Sequence, residues 1–160
     1  MRSNILAVFA AGLLASGAAF AASPMSVTTQ VEKEVVVRDT QGGVKVNRIP
    51  ALTVVPGDTV VYTYNLKNGG QAPSENIVIV APIPNQMKYI DKSATTQSAI
   101  VTFSVDAGKS FADAAKLQVT DKDGKRRQAG PNDYTHIRWV MNVPLDGGTT
   151  RAVAFRAVLE

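Results

Sequence analysis

An all-β fold, an immunoglobulin-like Greek-key β-sandwich, is what the sequence predicts. Three observations lead there. Apolar side chains recur at every second position rather than at helical spacing, and turn signals built from Pro, Gly, Asn and Asp return about every 8 to 12 residues. A lone tryptophan, Trp139, sits in a late alternating run, the place of a core anchor in such sandwiches.

In the first run, Val27, Val31, Val35 and Val37 share one face while Gln30, Glu32, Glu34 and Arg38 share the other, which predicts a half-buried strand. A Gln41-Gly42-Gly43 turn follows, and Val44, Val46 and Arg48 lead to Ile49-Pro50. Pro56-Gly57-Asp58 makes the next turn, since proline presets its backbone angle and glycine accepts positive φ. The strand from Thr59 to Lys67 groups Val60, Tyr62, Tyr64 and Leu66 against Val61, Thr63, Asn65 and Lys67, and Asn68-Gly69-Gly70 ends it.

Residues Asn76 to Ala81 are nearly all apolar, the pattern of a strand covered on both faces, and Pro82 and Pro84 stop it from continuing as a central strand. Met87, Tyr89 and Ile90 return the chain to the core, Ile100 to Val105 is a further strand, and Asp106-Ala107-Gly108 turns it. Ser110 to Lys116, with Ala112, Ala114 and Ala115, is too short for more than one helical turn. Leu117 and Val119 precede an Asp121 to Gly124 hairpin turn and a polar loop through Pro131-Asn132-Asp133. Ile137, Trp139, Met141 and Val143 then line one strand face opposite His136, Arg138 and Asn142, and after a turn over Pro144 to Gly148 the last strand points Val153, Phe155, Ala157 and Leu159 inward. The first strand is expected at a sheet edge, and the total is about eight or nine strands.

The opening residues have another logic. Arg2, an apolar run from Ile5 to Leu14 and small residues ending Ala19-Phe20-Ala21 have the order of a secretory signal peptide cleaved after Ala21. Gly12, Ser16 and Gly17 interrupt the run well short of the roughly 20 apolar residues a transmembrane helix needs. The expected organisation is therefore a cleaved signal peptide over 1–21 and one sandwich domain over 22–160, exported to the periplasm or the extracellular space with no membrane span in the mature chain.

The sequence has no cysteine, so stability must come from packing and backbone pairing, and no site for lipid attachment exists. Loss of Arg2 lowers the formal charge from +4 to +3, far from a nucleic-acid footprint. The densest basic group, Lys122, Lys125, Arg126 and Arg127, is broken by Asp121, Asp123 and Gly124 and reads as a solvated hairpin tip, with contact to an anionic surface polymer as the sharper alternative.

Catalytic chemistry has little to build on. The one histidine, His136, has no partner in the sequence that would make it the base of a nucleophile, and one His without Cys gives no ordinary zinc or transition-metal site. No glycine-rich phosphate loop follows a strand. Asp121-Lys122-Asp123-Gly124 is the best calcium candidate, yet it lacks the remaining ligands of an EF-hand loop and borders Lys125, Arg126 and Arg127. Asp106, Asp113 and Asp133 read as turn and loop acids. Lys33, among the inward valines, would form an isopeptide crosslink only beside an Asn and a buried acid; as a lysine on an edge strand it would block pairing. No catalytic, cofactor-binding or metal residues and no cofactor are assigned.

Val54-Val55-Pro56-Gly57-Asp58-Thr59-Val60-Val61-Tyr62-Thr63-Tyr64, then Asn68 to Gly70, Asn76-Ile77-Val78-Ile79, Pro82-Ile83-Pro84 and Met87-Lys88-Tyr89 together resemble the bacterial repeat domain catalogued as domain of unknown function 11. Tyr134 to Val143, with Pro144-Leu145 and Gly147, resembles that family's closing Trp strand and Leu-Gly turn. The resemblance covers most of residues 27 to 159 and implies an Ig-like sandwich on exported bacterial surface proteins, often in tandem arrays, with no catalytic residues to carry over. A single copy without an anchoring segment departs from the array pattern. The expectation is a non-enzymatic structural or interaction module of the cell envelope or extracellular space, its partners envelope or extracellular proteins or further copies of itself through strand edges, and no nucleic acid. Two alternatives remain: a self-assembling surface-fibre subunit, and a carbohydrate-binding or hydrolytic domain. The first needs an exposed strand edge; sugar binding needs an exposed aromatic platform, whereas alternation assigns Tyr62, Tyr64, Phe103, Trp139 and Phe155 to the core.

Mass spectrometry of the exported protein is expected to give a chain starting at Ala22; an intact Met1 would refute cleavage.

Overall fold

A computed structural model describes residues 25–38 and 40–160; the expected signal peptide and its cleavage point lie outside the described residues. Ten strands follow in order: β1 (Met25–Arg38), β2 (Val44–Pro50), β3 (Thr59–Asn68), β4 (Val78–Pro82), β5 (Met87–Tyr89), β6 (Ala99–Ser104), β7 (Gln118–Thr120), β8 (Arg126–Gln128), β9 (His136–Met141) and β10 (Thr150–Leu159). Among the described residues the one helical piece is a single 3-10 turn, Ala114–Lys116, as the short alanine cluster predicts. The strands form a five-stranded sheet ordered β2-β1-β3-β10-β5, a three-stranded sheet ordered β4-β9-β6 and a β7-β8 hairpin. All pairings are antiparallel.

The period-two pattern of β3 and β10 becomes the floor of the core. Val60, Tyr62 and Tyr64 stand opposite Ala157, Phe155 and Val153, so both strands turn their apolar sides the same way. From the other sheet, Ile137, Trp139 and Met141 of β9 face them, with Ile79 and Ala81 of β4 and Phe103 of β6 beside. Trp139 is wholly buried and its Nε1 donates to the Thr95 carbonyl at 3.0 Å, which satisfies the one polar atom of the ring. Its ring lies 6.3 Å from Phe155 and 6.1 Å from Tyr64, and Tyr62 stacks on Phe155 at 4.9 Å.

Turn chemistry follows the sequence. Gly42, Gly57, Gly108 and Gly124 all adopt positive φ in the turns where glycine was expected. Asn68, fully buried at the end of β3, donates from Nδ2 to the carbonyls of Ala72 and Leu145 and accepts the Gly70 amide on Oδ1. That side chain ties two loops at one end of the sandwich. Gly147 completes the tie, because a Cβ there would fall 2.3 Å from the Gln71 carbonyl oxygen.

Several expectations are corrected. β1 lies between β2 and β3, so the edge strand is β2. The inward valines of β1 are not covered: Val27 is 54% and Val31 39% exposed. β4 is not enclosed on both faces either, since Val78 and Val80 point to solvent and only Ile79 and Ala81 are buried; being an edge strand, it tolerates Pro82. Val143 falls beyond β9 and is exposed, and Leu159 is only half-buried. The Asp121 to Gly124 hairpin turn returns through a short β8 before the polar loop begins. The exposure of Val27 and Val31 has a single cause: the three strands of the upper sheet do not extend over β1.

Trp139→Ala is expected to destabilise the fold by about 3 to 5 kcal/mol, through lost transfer energy and the cavity it leaves; coincident denaturant melts of variant and parent would contradict its place at the centre of the core.

Candidate functional site

The narrow upper sheet leaves one side of the sandwich open. There a groove of ≈ 500 Å³ runs between β1 and β4, with Met25, Val27 and Leu66 on its floor side and Ile77, Val78 and Ile79 on its wall, and with Ser74 and Glu75 at its rim. Above it, among the described residues, β4 has no neighbour on the side away from β9. Met141 donates to the Ile77 carbonyl and Ile83 to that of Thr135, so in β4 the odd-numbered residues bond β9 and the amides of Val78 and Val80 point to the free edge. Groove and edge together form an apolar slot with backbone donors and acceptors along one lip.

Beyond the slot, β1 and β2 continue past the start of β3. Lys33 is the last β1 residue paired with β3, opposite Val60, while pairing with β2 runs on from Glu34↔Arg48 to Arg38↔Val44. Five residue pairs therefore project as a two-stranded ribbon, a length of about 17 Å. Val36, Val44 and Val46 lie on its outer face and are all exposed, Val36 at 62%. At its root the ribbon is clamped on both faces. On the inner side Lys33 Nζ donates to Asp58 Oδ2 at 3.2 Å. On the outer side Glu34 receives Arg156 Nη2 on Oε2 and lies 3.6 Å from Arg48 Nη2 through Oε1. Arg156 stands opposite Val61, an outward side chain that is nonetheless buried, and its own Nε is buried without a hydrogen-bond partner.

Lys33 thus meets an aspartate, not the asparagine an isopeptide would use. The Val55 amide, followed by the Lys33 ammonium, holds Asp58 below its ordinary carboxylate value. A carboxylate kept charged beside an ammonium is a poor electrophile for a neutral amine, so the pair acts as an ionic clamp.

A constellation that the sequence concealed forms at the far end of β6 and β9. Ser104 stands directly opposite His136, with Asp106 two residues on. These are the residue types of a catalytic triad, but the wiring differs. The Ser104 hydroxyl donates to Asp106 Oδ1 at 2.7 Å, His136 Nδ1 meets the Thr135 hydroxyl at 3.2 Å, and Ser104 is fully buried. A nucleophile needs an imidazole or comparable base at its own oxygen and access for substrate; this serine is buried, and the group at its oxygen is Asp106, a carboxylate held well below the usual range and so a weak base. It organises the turn: its oxygen also accepts the amides of Asp106 and Gly108. The His136 ring packs against Gly108, where an added Cβ would sit 3.4 Å from it. The Ser104 hydroxyl, then the Ser110 hydroxyl and amide, hold Asp106 well below the usual carboxylate range.

The calcium candidate is similarly committed. Asp121 Oδ1 accepts the amides of Asp123 and Lys125, stabilising the hairpin turn of β7 and β8. Of its basic neighbours, Arg127 makes a bidentate pair with Asp133, both bonds 2.7 Å. Among the described residues no group of three or more His, Cys, Asp and Glu is placed to hold a metal ion, and no helix is long and apolar enough to cross a membrane. A second cleft of ≈ 470 Å³ lies on the opposite side, where β5 and β6 are the sheet edges, lined by Tyr89, Val101 and Phe103 with Asp91, Lys92 and Asp113 at its mouth. Of the aromatic residues considered for a sugar platform, Trp139, Phe155 and Phe103 are buried and Tyr62 and Tyr64 pack half-buried against the core.

Compared with protein-family models, curated proteins and solved structures, the chain matches no family model, no curated protein and no solved structure.

Asp58, Asp106 and Asp133, the last lowered first by Arg127, all have folded values depressed below 3.8. Their stabilisation is complete above the unfolded value and is lost as pH falls through the folded one. Thermal melts are expected to be level between about pH 5 and 7 and to drop below about pH 4, with Asp106→Asn lowering the plateau and flattening the acid limb. A fall on the alkaline side of neutrality instead would show that these carboxylates do not govern it.

Proposed function

We propose that the protein is a non-enzymatic, exported interaction module of the bacterial envelope or extracellular space, working through the strand edges and uncovered faces of an Ig-like sandwich. The observation that carries this reading is the pairing of an apolar slot at β4 with exposed valines on β1 and β2. Monomeric proteins rarely leave such surfaces beside a free strand edge unless a partner covers them. The Asn68 and Ser104 networks support it too: they rigidify loops rather than build a reaction site, and a stiff body is what a surface-presenting module needs.

A second reading is favoured by a specific observation. The β1 and β2 ribbon exposes apolar residues at one place while the slot exposes them at another, so two different patches on one chain invite heterologous, non-closing contact, the geometry of a fibre subunit.

The test is capture of envelope proteins by the purified exported chain, with Val31→Lys alongside. Val31 lies on the uncovered inner face of β1 and is already 39% exposed, so the variant is expected to keep the parent melting temperature. A defined set of proteins held by the parent and lost by Val31→Lys is the expected result. Equal capture by both would mean that the open face is not the working surface.

A further inference from the structure

We propose that the partner for the open side is a second copy of this chain: the β1–β2 ribbon of one molecule lies along the free edge of β4 in the next and roofs the exposed valines of β1. This rests on the interaction-module reading above and names its partner.

The strand count gives the first argument. Beside β3 the lower sheet is four strands wide, β1-β3-β10-β5, because β2 pairs with the projecting part of β1; a sheet of three over it leaves β1 without a roof. The projecting ribbon brings a strand to lie over β1 on the free edge of β4, and each molecule has one ribbon to give and one slot to receive it.

Length gives the second. The ribbon projects by five residue pairs, Glu34↔Arg48 to Arg38↔Val44, and the β4 edge is five residues, Val78–Pro82. Both measure about 17 Å.

The third argument is chemical. Val36, Val44 and Val46 share the ribbon's outer face, and Val27 and Val31 form the unroofed floor. Arg38 lies on the same ribbon face as the valines, across from Val44, and Glu75 stands at the groove rim, so the two surfaces are complementary in charge as well as apolar character.

Backbone parity sets the direction of pairing. The Ala51 amide donates to the Val31 carbonyl, so odd-numbered β1 residues bond β2, and Val44, Val46 and Arg48 turn their own amides outward along the free edge of β2. On β4 the outward amides belong to Val78 and Val80, whose side chains point to solvent. In an antiparallel ladder directly bonded residues share a face, which would send Val44 and Val46 to solvent as well. In a parallel ladder the bonding residues of the two strands take opposite faces, so Val44 and Val46 point to the floor and Lys45 and Asn47 to water. The parallel junction is thus the one that buries the ribbon face of Val36, Val44 and Val46, with Val35 and Val37 on the solvent side.

The ribbon offers ten paired residues, below the roughly 20 to 30 a side of a standard interface, so association should be weak, with a dissociation constant between about 10 μM and 1 mM. The contact joins two different patches, so it closes as a dimer where two copies exchange ribbons and propagates as a chain where each ribbon goes to a further copy.

Sedimentation velocity over a concentration series, run on the exported chain, Val46→Lys and Val44→Lys, tests this. The parent is expected to self-associate with rising concentration, while both variants, whose substituted side chains are exposed in the single molecule and should leave the melting temperature unchanged, associate at least tenfold more weakly. Because the chain has no cysteine, site-directed thiols report the contact without background. Mixed Asn47→Cys and Val80→Cys proteins should form the mixed disulfide in preference to either homodimer, since both side chains lie on the solvent side of the parallel junction. A parent that stays monomeric up to millimolar concentration, variants that associate as the parent does, or homodisulfides in excess of the mixed product would each overturn the proposal. Envelope capture that is sensitive to Val31→Lys from a monomeric parent would leave the interaction-module reading standing and refute self-assembly alone.

Discussion

The packing of Trp139 between Phe155 and Tyr64 is the contact on which the remaining architecture depends. It centres the three-stranded sheet over β3 and β10, because β9 carries the tryptophan and is the middle strand of that sheet. With β9 held there, β6 lies toward β5, where Phe103 meets Tyr89 at 5.3 Å, and β4 toward Leu66 and the start of β1. No strand of the upper sheet is left to cover Val27 and Val31 of β1. The open side is thus a consequence of where the largest buried side chain sits and of how many strands flank it.

A two-stranded ribbon is marginal in water by itself. Here neighbouring residues hold its root from opposite faces: Lys33 reaches inward to Asp58, in the turn before β3, and Glu34 reaches outward to Arg156 of β10. Each bond alone is a partly exposed ion pair of small worth. Their effect is geometric, since they tie the ribbon to two different elements of the sandwich and fix the direction in which its exposed valines project. The buried Arg156 Nε without a partner is the cost of carrying a guanidinium across Val61 to Glu34.

The two ends of the sandwich are stiffened by a different device, the buried polar side chain that satisfies loop backbone. Asn68 does this with three hydrogen bonds between two loops, and Ser104 does it within one turn. Backbone polar groups in packed loops must find partners, and a short amide or hydroxyl at a strand end is placed to supply them. The juxtaposition of Ser104, Asp106 and His136 belongs to this device. It was invisible in the sequence because strand register, not spacing, sets Ser104 opposite His136 across 32 positions of chain.

Alternation and turn chemistry by themselves determined that the chain is all-β, where β3, β6, β9 and β10 run, which of their faces are apolar, and which glycines turn the backbone. These are local properties: a strand's side chains alternate whatever its neighbours do, and a positive φ is a demand of a few residues. What covers an apolar face is not local. The valines of β1 and those of β4 carry the same signal as the valines of β10, yet Val153 is fully buried while Val27 and Val78 are exposed. Val27 faces the core side of a strand that the upper sheet does not reach, whereas Val78 faces away from the core, and both facts follow from pairings between residues far apart in the chain. Tertiary structure therefore decided that β1 sits inside its sheet, that β2 and β4 are edges, and that an apolar slot and an apolar ribbon stand unroofed on the same molecule.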